Sequence, residues 1–257
     1  MDLNLTGQNI VVFGAAQGIG RAIADQFETE GCSVAGFDQS PDAPPLPTTG
    51  DNSVGDVTSF EQVNAFAAAR PETDHVVFSV GVGSGKFGFP FWNLDPRDWK
   101  HALEVNLMGA VNVAHAFAPH LTKRGRGSLL FLVSVAGQMG SPTDPPYSAA
   151  KAGLINFMQV VAKDCAPFHV RANALSPGMV QTELNESVWA AGQANLPAEQ
   201  QQDYVTWAEA KIKKTSPLGR WQTPAEFATM ATYLASEHAR NITGQTINID
   251  GGQVMHA

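Results

Sequence analysis

The chain has 257 residues, 44% of them hydrophobic and 16% charged, which is enough apolar material for a sizeable core and unlike a disordered, collagen-like or disulfide-scaffold protein. Sixteen Lys and Arg against 24 Asp and Glu leave a net charge of -8, so the overall field repels polyanions and nucleic acid is not an expected partner. The two cysteines, Cys32 and Cys165, lie far apart in apolar surroundings, as buried thiols of a reducing compartment do. Residues 1–7 show no basic region leading into an apolar one, and no apolar run reaches the ~18 residues of a membrane span, so the expected location is cytoplasmic.

Taken in chain order, strand-length apolar runs alternate with segments of helical period. Strands are expected at 10–13, 33–37, 75–80, 128–133, 170–175 and 246–249, and helices at 19–30, 60–69, 99–121, 147–165 and 224–234. Such alternation predicts an α/β chain with a doubly wound parallel sheet, covered by helices on both faces. Pro41, Pro44, Pro45 and Pro47 make a stiff connection with no room for a helix before Val54. Residues 86–92 form an aromatic loop, from Phe87 to Trp92, and 183–216 is a long insertion before the last helix. Nothing marks a second unit, so 1–257 is expected to be a single domain.

The first strand runs straight into Gly14-Ala15-Ala16-Gln17-Gly18-Ile19-Gly20 and then into a helix. Glycines at that turn let backbone N–H groups approach a pyrophosphate at the positive end of a helix. Asp38 ends the second strand 18 residues after Gly20, close to the spacing of a carboxylate that takes the adenosine ribose hydroxyls. Its charge would repel a 2'-phosphate, and neither Gln17 nor Gln39 offers a cation, so the expected cofactor is NAD.

Tyr147 and Lys151, four apart at a helix start, share a face about one turn apart. A phenol is a poor base at neutral pH, but a neighbouring ammonium stabilises its anion, which makes the pair a candidate general acid/base. Ser134 ends the strand before that helix, at the edge where open α/β sheets place their ligand crevice.

With these residues in place, the chain resembles the short-chain dehydrogenase/reductase family, whose fold is a single-domain, Rossmann-type, three-layer αβα sheet. The family's glycine fingerprint matches Gly14, Gly18 and Gly20, and its Asn, Ser and YxxxK match Asn106, Ser134, Tyr147 and Lys151. Asp56-Val57 matches the adenine contact, residues 176–182 the nicotinamide-contacting segment, and 244–252 the closing strand, so that the likeness spans 5–252. The resemblance implies that Tyr147 takes the proton of a secondary alcohol as hydride passes to the nicotinamide. Ser134 would bind the substrate oxygen, Lys151 would hold the nicotinamide ribose and lower the tyrosine pKa, and Asn106 would hold a water that links Lys151 to solvent. Cofactor contacts are implied for Gln17, Ile19, Ser79, Val80, Gly81, Pro177, Gly178, Val180 and Thr182 beside the residues already named. No metal is implied, and a homotetramer is.

The chain departs from the family at Phe13, where a loop-bracing threonine is usual, and at Phe78-Ser79-Val80-Gly81, where Asn-Asn-Ala-Gly is usual. The histidines show no metal-ligand spacing; His115 and His120 are five apart, off a shared face. Lys211, Lys213 and Lys214 read as a solvated helix face, and Arg124 and Arg126 as turn residues rather than a carrier-protein dock. The aromatic loop, with Trp189 and Trp207, suits either a cleft wall or a subunit contact equally. The expected activity is thus NAD-dependent interconversion of a secondary alcohol and a ketone, on a sugar, polyol or other small hydroxy compound. The alternatives are a 3-oxoacyl-thioester reductase and a non-catalytic nucleotide-binding sensor or scaffold.

Overall fold

The computed structural model describes residues 1–41, 51–86, 88–141, 143–194 and 196–255, without the side chains of Glu183 and Leu184. Seven parallel strands form one sheet: β1 (Asn9–Phe13), β2 (Ser33–Asp38), β3 (Asp51–Val54), β4 (His75–Phe78), β5 (Gly127–Leu132), β6 (Val170–Pro177) and β7 (Thr246–Ile249), in the order β3-β2-β1-β4-β5-β6-β7. The inner strands are apolar on both faces, as a sheet sandwiched between helices requires.

One face packs against α2 (Phe60–Ala68), α4 (Gly109–Arg124) and α5 (Pro145–Cys165), around Phe13, Phe37, Phe66 and Phe117. The other packs against α1 (Gly18–Thr29) and α8 (Pro224–Ala235), around Ile23, Phe27, Phe227 and Leu234. The result is a three-layer, Rossmann-type αβα arrangement. Phe13 stands edge-on to Phe66 and Phe117, with centroids at 5.7 and 5.8 Å, so the residue in the family's threonine position is a core ring. The strand order reverses between β1 and β4, and that switch point at the carboxyl edge is where such sheets bind ligands.

One sequence expectation needs correction, and two segments gain elements that the sequence left open. β3 was not anticipated, because Asp51-Asn52-Ser53-Val54 is polar and pairs on one side only, with β2. The helix expected at 99–121 is broken: α3 (Trp99–Leu103) passes through a π turn, Glu104–Met108, before α4. The side-chain amide of Asn106 donates to the Ala102 carbonyl (2.8 Å), so it competes for an oxygen that the regular i to i-4 ladder would use. The insertion forms two helices, α6 (Glu183–Gln193) and α7 (Tyr204–Thr215). Pro44, Pro45, Pro47 and Phe87 lie outside the described residues.

Both cysteines are buried and free. Arg124 pairs with Glu72 and Asp74, and Arg126 with Asp74 at 2.9 Å, across the sheet edge opposite the crevice. Lys213 and Lys214 are exposed as expected, whereas Lys211 is half-buried, its ammonium 4.3 Å from the centre of the Trp207 ring. No helix among the described residues is long and apolar enough to cross a membrane.

Candidate active site

The glycine turn after β1 is shaped by backbone demands. Gly14 and Gly18 have φ of +82° and +59°, the left-handed region that favours glycine. A Cβ on Gly20 would lie 2.0 Å from the Gly14 carbonyl oxygen, so only glycine lets α1 start this close to the turn. Gln17, the N-cap of α1, makes no side-chain cap, and no acidic residue occupies the first turn. The first-turn N–H groups and the helix dipole therefore face outward at Gln17, Gly18 and Ile19, which fits a pyrophosphate.

Asp38 ends β2 against this turn. Its carboxylate accepts from the backbone N–H of Ala16 and of Ser40, both at 3.0 Å. The Gly14 N–H donates to the Phe37 carbonyl at 2.9 Å. Asp38 thus braces the loop that lacks the family's threonine, a role that the sequence reading did not give it. The Ser79 N–H donates to the Phe13 carbonyl at 2.9 Å and holds Ser79 and Val80 beside Gly14. The chain turns at Gly55 next to Asp38; Asp56 accepts from its own Thr58 N–H (2.8 Å), and Val57 is buried against Gly109.

At the same edge Ser134 stands two residues beyond β5, its hydroxyl accepting from Ala136 N–H at 3.1 Å as the cap of a 3₁₀ turn. That turn is pressed onto α5: a Cβ on Gly137 would lie 2.6 Å from the Lys151 carbonyl carbon. The Ser148 hydroxyl donates to the Ala136 carbonyl. Strand end and helix are thereby locked together, which brings Ser134 near enough to the Tyr147 phenol to oppose the rise of its pKa.

Lys151 is 2% exposed, and its ammonium donates to the Leu132 carbonyl at 2.9 Å and the Val80 carbonyl at 3.2 Å, 5.6 Å from the Tyr147 ring centre. Burial pushes the lysine pKa down to about 7. Burial also pushes the Tyr147 phenol up to about 12, with the bond to Ser134 opposing and the charge of Asp144 reinforcing the rise. In this arrangement Lys151 is engaged with the Val80 and Leu132 carbonyls, and desolvation is the largest influence on the phenol. Asn106, fully buried in the π turn, accepts from Val82 N–H (3.1 Å) and donates to the Val82 (2.7 Å) and Ala102 carbonyls. A Cβ on Gly81 would be 3.5 Å from both Asn106 Oδ1 and Lys151 Nζ, so these groups converge on one small space, and the oxygen retains a lone pair towards it.

Across the crevice, β6 ends in Ser176 and Pro177 and leads into Gly178, pinned by the Gly178 N–H to the Ile249 carbonyl at 3.2 Å. Val180 bridges to Gln222, and Thr182 caps α6 with its methyl 3.8 Å from the Cβ position of Gly18. The segment expected to contact nicotinamide therefore lies against the glycine turn.

Two residues escaped the sequence reading. Gln138 donates to the Ser176 hydroxyl and to Asn248 Oδ1, each at 2.7 Å, and accepts from the Asn248 amide at 3.1 Å, tying the Ser134 loop to the ends of β6 and β7. Asp144 caps α5 and is taken up below; an aspartate directly before a proline at the helix start was the available signal. In the aromatic loop, Phe89, Phe91 and Trp92 are 60%, 64% and 71% exposed.

A parallel switch-point crevice with a glycine turn on one side and a Ser-Tyr-Lys convergence on the other defines a dinucleotide-dependent oxidoreductase site. Comparison with known proteins agrees: a family model described as enoyl-(acyl carrier protein) reductase matches residues 14–254. The chain belongs to the short-chain dehydrogenase/reductase family of nicotinamide-dependent oxidoreductases. It is 31% identical to a 3-oxoacyl-[acyl-carrier-protein] reductase of Thermotoga maritima, covering 98% of this chain and 100% of that one. It is 30% identical to an NAD-dependent glycerol dehydrogenase of Listeria innocua, covering 99% and 96%. A crystal structure of a gluconate 5-dehydrogenase from Burkholderia cenocepacia, in complex with NADP and tartrate, superposes with a TM-score of 0.85 at 27% identity, over 98% and 97% of the two chains.

Proposed function

We propose that the chain, as one domain, interconverts a secondary alcohol and a ketone with NAD, and that its substrate is a sugar, polyol or other small hydroxy compound. The observation that carries the reading is the convergence of Ser134, Tyr147 and the buried Lys151 at the switch-point edge. The bound dinucleotide supplies hydride exchange at its nicotinamide ring. Tyr147 moves the proton at the substrate oxygen, and the Ser134 hydroxyl donates to that oxygen as charge develops on it. Lys151 would hold the nicotinamide ribose hydroxyls. A water at Asn106 connects Lys151 to solvent.

Asp38 supports NAD: a carboxylate at the end of β2 beside the glycine turn would repel a 2'-phosphate, and the next residues, Gln39 and Ser40, offer no cation. Contacts from Gly14, Gln17, Gly18, Ile19, Gly20, Ser79, Val80 and Gly81 fit the adenosine and diphosphate half, with Asp56 and Val57 beside the adenine. Pro177, Gly178, Val180 and Thr182 fit the nicotinamide half. The subunit assembly that goes with this reading is a homotetramer, testable by light scattering.

The names of several relatives favour a second reading, reduction of a 3-oxoacyl thioester. Against a carrier-protein dock, Arg124 and Arg126 are neutralised by Glu72 and Asp74. The deciding experiment is turnover of sugars, polyols and acetoacetyl-CoA with each of the four nicotinamide cofactors. NAD-linked oxidation of a hydroxy compound is the expected result. A strong preference for NADPH and the thioester would overturn it, and binding without turnover of any substrate would favour the sensor.

A further inference from the structure

Three residues before Tyr147 stands a carboxylate that the proton-transfer scheme does not use. Asp144 is 8% exposed, and no ion pair among the described residues includes it. Its oxygens accept backbone N–H groups from two segments: Ser84 at 2.7 Å, from the loop after β4, and Tyr147 at 3.4 Å, in the first turn of α5. The neighbouring Gly88 N–H donates to the Thr143 carbonyl at 2.9 Å, and a Cβ on Gly88 would meet Pro145 at 2.4 Å. The loop that leads into the aromatic stretch is therefore fixed directly on the start of the Tyr147 helix.

The bond from the Tyr147 N–H places the Asp144 carboxylate against the first turn of α5, at the backbone of the residue that carries the phenol. The other charged groups on elements packed around Tyr147 are placed differently. Lys151 lies on the same helix, one turn further on, bonded to Leu132 and Val80. α3 and the π turn carry Lys100 and Glu104, paired at 3.4 Å, and an exposed His101. The loop carries Lys86, bonded to Asp98 at 2.8 Å, and β6 carries Arg171, which donates to the carbonyls of Leu234 and Ala235. Ser134 and Asn106 are uncharged. Of all these, Asp144 is the carboxylate whose field reaches the phenol and opposes its ionisation.

We propose that Asp144 is a positioning residue for the proton transfer: its carboxylate fastens Ser84 to the start of the Tyr147 helix and holds a negative charge beside the residue that takes and gives the proton. This rests on the reading of Tyr147 as acid and base. The geometry separates the two roles, since asparagine and serine cap helices about as well as aspartate but carry no charge.

The test is the pH dependence of alcohol oxidation and ketone reduction in Asp144→Asn, Asp144→Ser and Asp144→Glu. In the two neutral variants the rising limb of oxidation and the falling limb of reduction should both move down, by roughly half to one pH unit. Asp144→Glu should keep the limbs at the wild-type position. A merely structural role would lower rates at every pH without moving the limbs, and unmoved limbs in a folded neutral variant overturn the proposal. A second readout needs no substrate: the ultraviolet difference titration of the phenol, taken as each protein minus its Tyr147→Phe counterpart. More phenolate in the neutral variants at pH ~10.5 supports the proposal, and equal phenolate refutes it, even if no alcohol is ever turned over. Should neither neutral variant fold, the wild-type titration decides. Ionisation of Tyr147 at or below the ordinary ~10 overturns the proposal.

Discussion

Replacing Gly20 by alanine isolates what the glycine turn does. The added Cβ would lie 2.0 Å from the Gly14 carbonyl oxygen and 2.9 Å from its carbon, where ordinary contact needs about 3.4 Å or more. The oxygen has nowhere to retreat, because the Gly14 N–H is held by the Phe37 carbonyl at 2.9 Å. The start of α1 must therefore shift by about 1.4 Å, nearly half a hydrogen-bond length. Alanine favours a helix by about 1 kcal/mol over glycine, but overpacking costs about 1–3 kcal/mol, so the net stability change is a loss of about 0–2 kcal/mol. Cofactor binding should suffer more. Losing two charge-assisted bonds from displaced N–H groups, at about 1.5–3 kcal/mol each, weakens NADH by roughly 10²- to 10⁴-fold. The assay is NADH fluorescence titration with a thermal melt alongside, and Gly140→Ala, where a Cβ meets nothing within 4 Å, is the control. Wild-type NADH affinity together with a raised Tm in Gly20→Ala would refute the reasoning.

Other outcomes follow from the same geometry. Tyr147→Phe should lose about 10²- to 10⁴-fold in kcat with NADH affinity nearly unchanged, as measured by steady-state rates and titration. His75 is buried between Ser128 Oγ (2.8 Å) and Gln8 Oε1 (2.7 Å), and desolvation pushes its pKa down to about 3. The unfolded chain therefore binds the proton first, and this histidine's contribution to stability is complete above the ordinary 6.5 and falls away as the pH drops from there towards 3. Between pH 7 and 4.5 the loss should be about 2–3 kcal/mol more than in His75→Gln, read from urea unfolding. Phe13→Thr, which restores the family's hydroxyl, should nevertheless destabilise by about 3–5 kcal/mol in the same assay, because it empties a place among three rings.

The chemistry of the crevice was legible because it fixes residue types at fixed spacings. A phenol and an ammonium four apart, a serine at a strand end and glycines at a first turn have few other reasons to occur in that order. What escaped is decided by tertiary contact. β3 is a strand because β2 offers it a ladder, not because its polar residues favour one. The π turn interrupts a continuous apolar period because one side-chain amide competes for a carbonyl. The raised tyrosine pKa depends on how deeply the fold buries it and on what Lys151 touches, neither of which spacing reveals. Asp144 and Gln138 act through backbone groups from distant segments, whose partners only the folded chain brings near.

Asp38 braces Ala16, and if it also selects the coenzyme as proposed, that double duty limits how freely the preference can be re-engineered. Substituting a neutral or basic side chain to admit a phosphorylated adenosine would also remove the acceptor that steadies Ala16, and the usual remedy, a hydroxyl at position 13, is closed off by the aromatic core. A successful swap would have to supply a new brace from elsewhere, so single substitutions should trade selectivity for a looser phosphate cradle.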